Sequence, residues 1–467
     1  MGFRMATELF VFAHLPTTGF VPAGRAELTE TALEVEASNF AYGTRYLDRP
    51  ESFEIEPVSL SLADRAAVKG RLLFPANGLP LFGGLRDAAP DSWGRRVIEA
   101  KRRVPANSLP ESVYMLEAGS DRIGALDVRA HLTDAGRAGV ATVHALPYLL
   151  ETVERIEMGL PVPARLTDLF GSGPGAGGAR PKASVRDEAG LLWLAKFASR
   201  TDTLDMATAE AATLRLAARC GLTVPDTRVV DLGGKSCLLI RRFDRYWATA
   251  DQQAAGVARL PADLVLHETQ PQLRALELRL PFISALTLVG CHEREAHVQS
   301  YANIAAAVRR HAHSAAIRGD NRELFARMVF NILVSNDDDH LRNHGFVLDP
   351  RLGGWRLSPL YDVVPRPGVA YDRFLQLDVG PQGKVATLDN ALAAHAAFDI
   401  ERPAAVALMA RVVNETLRWR EHFEADGVPG ALIDRLAGAF RLLDEVASDD
   451  LRDDLRAKSR ANSYGIG

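Results

Sequence analysis

A chain of 467 residues, 47% hydrophobic and 24% charged, is long enough for two or three hydrophobic cores and too apolar to be disordered along most of its length. Its 55 basic and 59 acidic residues leave a formal charge of −4, so no whole-chain field draws in nucleic acid or anionic lipid, and DNA would be met only locally or through a partner. The three scattered cysteines, Cys220, Cys237 and Cys291, form no C-x-x-C pair, which argues against a disulfide framework or a zinc site and fits a reducing cytoplasm.

From Glu8 to about Leu73 the runs "LFVFAHL", "ALEVEAS" and "FEIEPVSL" alternate in the manner of strands, punctuated by Gly, Pro and Asn. Glu8 and Pro16 interrupt the first apolar run and no cleavage site follows a basic start, so a secretory signal is not expected, and Ala6 spoils a myristoylation pattern. At "PLFGGLRDAAPDSWGRRVIEAKRR" the period changes. Asp91 is placed to cap a helix beginning near Ser92, and Lys101, Arg102 and Arg103 suit its C-terminal end. These pieces make a small β-rich accessory subdomain with helical elaboration over residues 1–150.

The glycine-rich "GSGPGAGGARPK" comes next, followed by two strand-like runs around Asp187-Glu188-Ala189-Gly190, a hairpin pattern. Met206 to Cys220 is apolar at helical spacing and stops at Gly221, and "VPDTRVVDLGGKSCLLIRRFDR" then gives two strands turning at Gly233-Gly234. This second part spans 151–248. Residues 249–448 are mainly helical by period. Their uncharged stretch from Leu280 to Cys291 is 12 residues, short of the roughly 20 a bilayer requires, and reads as core, so no membrane association is expected. The helical pattern is broken by "SNDDDHLRNHGF", residues 335–346, and by the strand pair "GFVLD" and "GWRLSPLYD". Residues 449–467 read as a charged, fraying tail. The order of elements is that of an α+β protein.

Three consecutive aspartates and a histidine beside a core element have no packing rationale, since a buried carboxylate costs several kcal/mol unless paired or on a metal. They form either an exposed loop with a helix cap or a site. Phosphoryl transfer calls for a base to orient a hydroxyl, Mg²⁺ ligands, a cation on the phosphates and a flexible backbone cradle. Asp338 and Asn343 have the D-x-x-x-x-N spacing of a kinase catalytic loop. The strand pair after Asn343 would return the backbone at Tyr361-Asp362, so that Asp362 arrives beside Asn343 as a metal-binding aspartate does. Lys196 lies in "LLWLAKFAS", a strand otherwise too apolar for a cation that does not point at a ligand, and Glu210 is its natural partner unless solvated beside Arg215. Glycines of the 171–178 loop, Gly177 and Gly178 among them, can present N–H groups closely, with Lys182 adding charge; a plain linker is the alternative. Asp337 and Asp339 read as auxiliary ligands or as solvated neighbours, and His340 as a structural hydrogen-bonding residue. Hard carboxylate donors without Cys favour Mg²⁺ or Mn²⁺ over zinc.

The segments "GGARPKASV", "WLAKF", "CLLIRRFDR", "SNDDDHLRN" and "PLYDVVP", in this order and at these intervals, resemble the HipA family of bacterial serine/threonine kinases, toxins of toxin–antitoxin pairs. The resemblance covers about residues 70–440 and, more faintly, the N-terminal β unit. It implies a protein-kinase-like two-lobed fold, with a nucleotide-binding part over 151–248 and a catalytic lobe over 249–448, and the use of ATP and Mg²⁺. By motif, Asp338 corresponds to the catalytic base, Asn343 and Asp362 to the metal ligands and Lys196 to the phosphate-binding lysine. Arg241 and Phe243 then sit on the adenine hinge, and Asp244 near the ribose. Tyr361-Asp362-Val363 departs from D-F-G, so the switch attached to that Phe does not carry over.

Known members phosphorylate proteins of translation, including aminoacyl-tRNA synthetases, and are neutralised by HipB, a small helix-turn-helix antitoxin, through which DNA is met indirectly. A serine just before the glycine pair is autophosphorylated in the best-known member. Gly175 stands at that position here, and Ser172, the only hydroxyl of the loop, is the candidate substitute. Two other functions stay open: a kinase-fold protein that works by holding an antitoxin and its DNA, and a kinase of a small molecule. After about residue 250 the sequence is similar to a less-studied branch of the family, which leaves the acceptor undetermined.

Overall fold

The computed structural model describes residues 4–137, 139–163, 178–248, 276–368 and 373–464. The protein forms two compact units. One comprises residues 1–201, 230–291 and 346–355, and the other 202–229, 292–345 and 356–467. The sequence-based boundary at residue 150 falls inside the first.

The first unit opens with an antiparallel sheet of β1 (Met5–Leu15), β2 (Gly19–Glu30), β3 (Val35–Tyr42) and β4 (Leu126–Arg129), in the order β3-β2-β1-β4. Leu9, Val11, Ala13 and Leu15, two apart along β1, are all within 1% of full burial, as a sheet with one core face requires. The expected strand at "FEIEPVSL" does not form. Side chains take over its backbone groups instead: the Tyr46 hydroxyl accepts from Phe53 N–H (3.0 Å) and donates to its C=O (2.7 Å). The Tyr42 hydroxyl does the same with Ile55 N–H (3.1 Å) and Leu60 C=O (2.6 Å). A run with Pro57 in it, already satisfied by two buried phenols, has no need of a partner strand.

The helix Ser92–Arg102 forms where the sequence places it, with Asp91 accepting from Gly94 N–H at 2.7 Å and Arg103 left-handed at its end. A five-stranded sheet follows, made of β5 (Ala141–Thr142), β6 (Lys182–Arg186), β7 (Leu192–Phe197), β8 (Thr227–Asp231) and β9 (Ser236–Arg241), in the order β5-β6-β7-β9-β8. Both expected hairpins are present. Gly233 and Gly234 each take positive φ (70° and 89°), the pair of left-handed residues that a tight two-residue hairpin turn demands. The pair β10 (Arg245–Ala248) and β11 (Leu276–Arg279) and the sheet β12-β13-β14 (Phe282–Ser284, Gly345–Asp349, Gly354–Leu357) complete the strands of the described residues. Leu280, Ile283, Leu286 and Leu288 are at most 1% exposed, so the uncharged stretch is core, and no helix among the described residues is long and apolar enough to cross a membrane.

The second unit is mainly helical. Its 20-residue helix Ser314–Leu333 is buried on most sides, from Leu324 to Leu333 without interruption. The helix Met206–Arg219 ends at Cys220 before Gly221 (φ 84°), as the pattern predicts. The C-terminal segment differs from expectation: Asp449–Tyr464 is a helix, held by Leu451 and Leu455, each 2% exposed. Its apolar residues lie four apart, a stripe too sparse to outweigh the surrounding charge when the sequence is read by composition. The three cysteines are buried thiols, and burial pushes Cys220 and Cys237 up to about 12.

Candidate active site

The loop 335–346 begins where the long helix ends, and the helix end aims it. Ser335 takes a left-handed conformation (φ 51°), Asn336 N–H donates to Asn331 C=O at 3.0 Å and Ser335 N–H to Ile332 C=O at 3.4 Å. This is a Schellman ending with serine where glycine is usual. The Ser335 hydroxyl donates to Ala439 C=O at 2.7 Å, which fixes the strained residue in place.

The three aspartates then diverge. Asp337 and Asp338 have side chains about half exposed, 50% and 56%, whereas Asp339 is 1% exposed. The solvated reading therefore fits Asp337 and is corrected for Asp339. Its carboxylate accepts from the Tyr301 hydroxyl and from His344 Nε2 (2.9 Å). Burial alone would raise the Asp339 carboxyl, but His344 and these hydrogen bonds outweigh it and hold the group below its ordinary range. His340 contributes its N–H to Asp338 C=O at 3.0 Å.

Asp338 meets two further neighbours. Its backbone carbonyl oxygen accepts from Asn343 Nδ2 at 3.0 Å, and its Oδ2 from Arg366 Nη2 at 2.8 Å. Arg366 also places Nε 3.1 Å from Asp337 Oδ1, so one guanidinium spans both exposed carboxylates. A cavity of about 300 Å³ lies alongside, with Asp337, Arg366 and Phe374 in its wall. The hairpin of β13 and β14 brings the following segment back to the loop. Ser358 N–H donates to Gly345 C=O (2.8 Å), Arg327 Nη2 to Ser358 C=O (2.6 Å), and the Tyr361 hydroxyl to Arg342 C=O (2.7 Å). β14 ends at Leu357 rather than at Tyr361, because Pro359 has no N–H for the ladder. Asp362 is left-handed (φ 59°), a conformation that Asp tolerates and that clusters at functional positions.

In the other unit, Lys182 and Lys196 face each other across β6 and β7, with Lys182 2% and Lys196 8% exposed. Two ammonium groups so placed repel unless compensated. Lys182 Nζ pairs with Asp91 Oδ2 at 2.9 Å and donates to Gly178 C=O at 3.1 Å. Arg241 ends β9 and is 4% exposed, and the Phe243 ring centroid lies 6.1 Å from that of Phe282. Asp244, 1% exposed, is ringed by donors: Arg242 Nε (2.9 Å) and Nη2 (2.7 Å), Arg245 Nη1 (2.5 Å) and Gly124 N–H (2.7 Å). Burial would raise its carboxyl, but the two guanidiniums hold it well below the usual range. Arg242 and Arg245 are thus buried ion-pair residues, not surface ones. Glu210, 3% exposed, is not the solvated residue of the alternative reading. Gly177 and Ser172 lie outside the described residues.

The structure thus brings Asp338, Asn343 and the Tyr361-Asp362 segment together in one unit, and Lys182 and Lys196 in the other. Asp91, Tyr301 and Arg366 were missed by sequence reasoning as parts of the site. Arg366 alone carried a signal, as the sole charge in the stretch "VVPRPG" after Asp362. For a cation, the fit rests on donor chemistry. Asn343 spends its Nδ2 on Asp338 C=O, which leaves its Oδ1 as an acceptor, and Asp362 adds a carboxylate. Hard oxygen donors of this kind suit Mg²⁺, which takes one or two protein ligands and completes its shell with water and phosphate. Among the described residues no three His, Cys, Asp or Glu are grouped to hold a metal by themselves.

Comparison with known proteins bears on family and fold. Residues 175–419, more than half of the protein, match the family model of the HipA-like C-terminal domain. A putative kinase of Haemophilus influenzae is 28% identical over 176 residues, covering 36% of this chain and 44% of that protein, so the match spans less than half the length of this curated relative. Among solved structures, HipA of the Shewanella oneidensis MR-1 toxin–antitoxin system, determined with HipB and operator DNA, matches with a TM-score of 0.59 at 15% identity, over 97% of this chain and 95% of that one. CtkA, a proinflammatory kinase of Helicobacter pylori, gives a TM-score of 0.33 at 13% identity, over 62% of this chain and 90% of that one. The Shewanella match concerns the fold: an α+β, protein-kinase-like architecture with a β-rich N-terminal part and a mainly helical C-terminal lobe.

Proposed function

The chain belongs to the family defined by the HipA-like C-terminal domain, and from that premise we propose that it is an ATP- and Mg²⁺-dependent serine/threonine protein kinase. The observation that carries this reading is the joining of an exposed carboxylate, Asp338, to Asn343 through its own backbone, with the Tyr361-Asp362 segment bonded to the residue before Asn343. In this reading Asp338 accepts the proton of the acceptor hydroxyl as the oxygen attacks the γ-phosphorus and the bond from that phosphorus to the β,γ-bridging oxygen breaks, releasing ADP. Asn343 and Asp362 hold Mg²⁺, which when bound neutralises charge on the β- and γ-phosphates. Lys196 contacts the phosphates from β7, Gly177 and Gly178 present backbone N–H groups with Lys182 behind them, and Arg241, Phe243 and Asp244 shape the nucleoside end. The cavity beside Asp337 and Arg366 offers a partly apolar seat for residues flanking the acceptor.

The acceptor is a protein of translation, such as an aminoacyl-tRNA synthetase, and a HipB-like helix-turn-helix antitoxin neutralises the kinase in the cytoplasm and links it to DNA. The structural match to a HipA solved with HipB and operator DNA supports that partner. Ser172 is the autophosphorylation site of this reading. Incubation with labelled ATP, Mg²⁺ and a cell extract is the test. A labelled protein band is the expected outcome; label in a metabolite makes it a small-molecule kinase, and no transfer makes it a binding protein. Phosphopeptide mapping of the same reaction, with Asp338→Asn as the blank, checks Ser172.

A further inference from the structure

Of the three aspartates in "NDDDH", the buried one has no part in the chemistry proposed above, yet its carboxylate has the most hydrogen-bond partners. Asp339 takes hydrogen bonds from the Tyr301 hydroxyl and from His344 Nε2. The Tyr301 hydroxyl in turn accepts from Asn331 Nδ2 at 3.1 Å, and Asn331 Oδ1 accepts from Asn336 Nδ2 at 3.1 Å. Asp339, His344, Tyr301, Asn331 and Asn336 are each at most 2% exposed, so the network is shut off from water. It ties the start of the loop (Asn336), its middle (Asp339) and its end (His344) to two helices, Tyr301–His311 and Ser314–Leu333. The Tyr301 and His344 rings also meet edge to face, 5.6 Å between centroids.

His344 Nδ1 is buried without a partner among the described residues, so Nε2 is the ring nitrogen through which His344 donates to Asp339. An ion buried for stability alone gives no advantage over an apolar side chain of similar volume. What this one supplies is direction. It anchors the peptide immediately after Asp338, while Asn343 Nδ2 anchors the Asp338 carbonyl itself. The carboxylate one residue earlier is left exposed on a backbone fixed from both sides.

We propose that Asp339 is a positioning residue: through Tyr301 and His344 it holds the peptide between Asp338 and Asn343 in register for transfer, touching neither substrate nor metal. The proposal deepens the kinase reading and rests on it for its effect on rate. A displacement of about 1 Å in a reacting group costs on the order of 10² in rate. Asp339→Asn, which keeps size but gives up the charge that two donors share, should therefore lower kcat roughly 10- to 100-fold while changing the KM for ATP less than about threefold. Tyr301→Phe, which leaves the His344 bond in place, should lose less. The double variant should lose no more than Asp339→Asn alone, because both act through one carboxylate.

The experiment pairs these kinetics with hydrogen exchange of the backbone amides of 336–344 in the protein without nucleotide. Faster exchange there in both variants, with helix Arg402–Leu417 protected as in wild type, is the expected result. Wild-type kcat together with wild-type exchange in Asp339→Asn overturns the proposal, and Tyr301→Phe decides by the same two readouts if Asp339→Asn does not fold. If the wild-type protein transfers no phosphate while the loop still loses protection in the variants, the kinase reading fails and the positioning of the loop stands.

Discussion

Asn343 reaches back five residues along its own loop and donates from Nδ2 to the backbone carbonyl of Asp338 at 3.0 Å. The candidate base and the candidate metal ligand are thereby one mechanical piece, and the bond does not involve the Asp338 side chain. The two functions of the loop can be separated by substitution for that reason.

Asp338→Asn should abolish transfer while leaving nucleotide binding nearly intact. The amide preserves shape, and the Asn343 bond to the carbonyl survives, but the hydroxyl proton has no acceptor. The loss should appear in turnover and be on the order of 10² or more. Retention of more than about a tenth of wild-type kcat would remove Asp338 from the role of base.

Asp362→Asn should act on binding instead. Asp362 sits at φ 59°, where alanine would add roughly 1 kcal/mol or more of backbone strain, whereas asparagine tolerates the conformation. The apo protein should therefore melt as wild type does, and the rise in melting temperature on adding Mg-ATP should vanish. An unchanged ligand-induced rise would show that Asp362 holds no metal.

The hairpin preceding Asp362 was legible in the sequence because turn residues and alternation are local signals, and so was the cap of Asp91 on its helix. What was not legible was the partner of a charge. Asp91 is also the counter-ion of Lys182, 91 residues away, and Asp339 is buried only because Tyr301, 38 residues back, is brought beside it. Neither separation leaves a trace in local composition. The same holds for the segment 53–60, whose alternation is real but whose backbone is satisfied by Tyr42 and Tyr46 before any strand can pair with it. The loop at 335 reads as a cap or a site, and it is a helix ending that carries the candidate site.

Lys182→Met should be destabilising whether or not Lys182 meets phosphate. Both partners of the pair with Asp91 are at most 5% exposed in their side chains, so removing the ammonium strands a buried carboxylate. The cost expected for half of a buried pair is about 3–5 kcal/mol. Pairing the change with Asp91→Asn, which removes the stranded charge and keeps an oxygen for the helix cap, should recover a large part of it. Denaturation midpoints of the single and double variants measure this. If the double variant is no more stable than the single one, the pair is not the source of the loss.

Glu56 should make the first unit less stable as the pH rises toward neutrality. It is 1% exposed, and burial pushes its carboxyl up to about 7, although N–H groups of Ser59 and Val58 pull the other way. Between the ordinary value of 4.5 and about 7 the folded protein keeps a proton that the unfolded one releases. Stability from this group is therefore fully present below 4.5 and is lost as the pH climbs through 7. A shift of that size corresponds to about 3 kcal/mol between the two limits. In Glu56→Gln the group no longer titrates, so the fall in melting temperature from pH 5 to pH 8 should be smaller than in wild type. Equal falls in the two proteins would mean that Glu56 stays ionised across this range and that its two N–H donors, rather than its burial, set its charge.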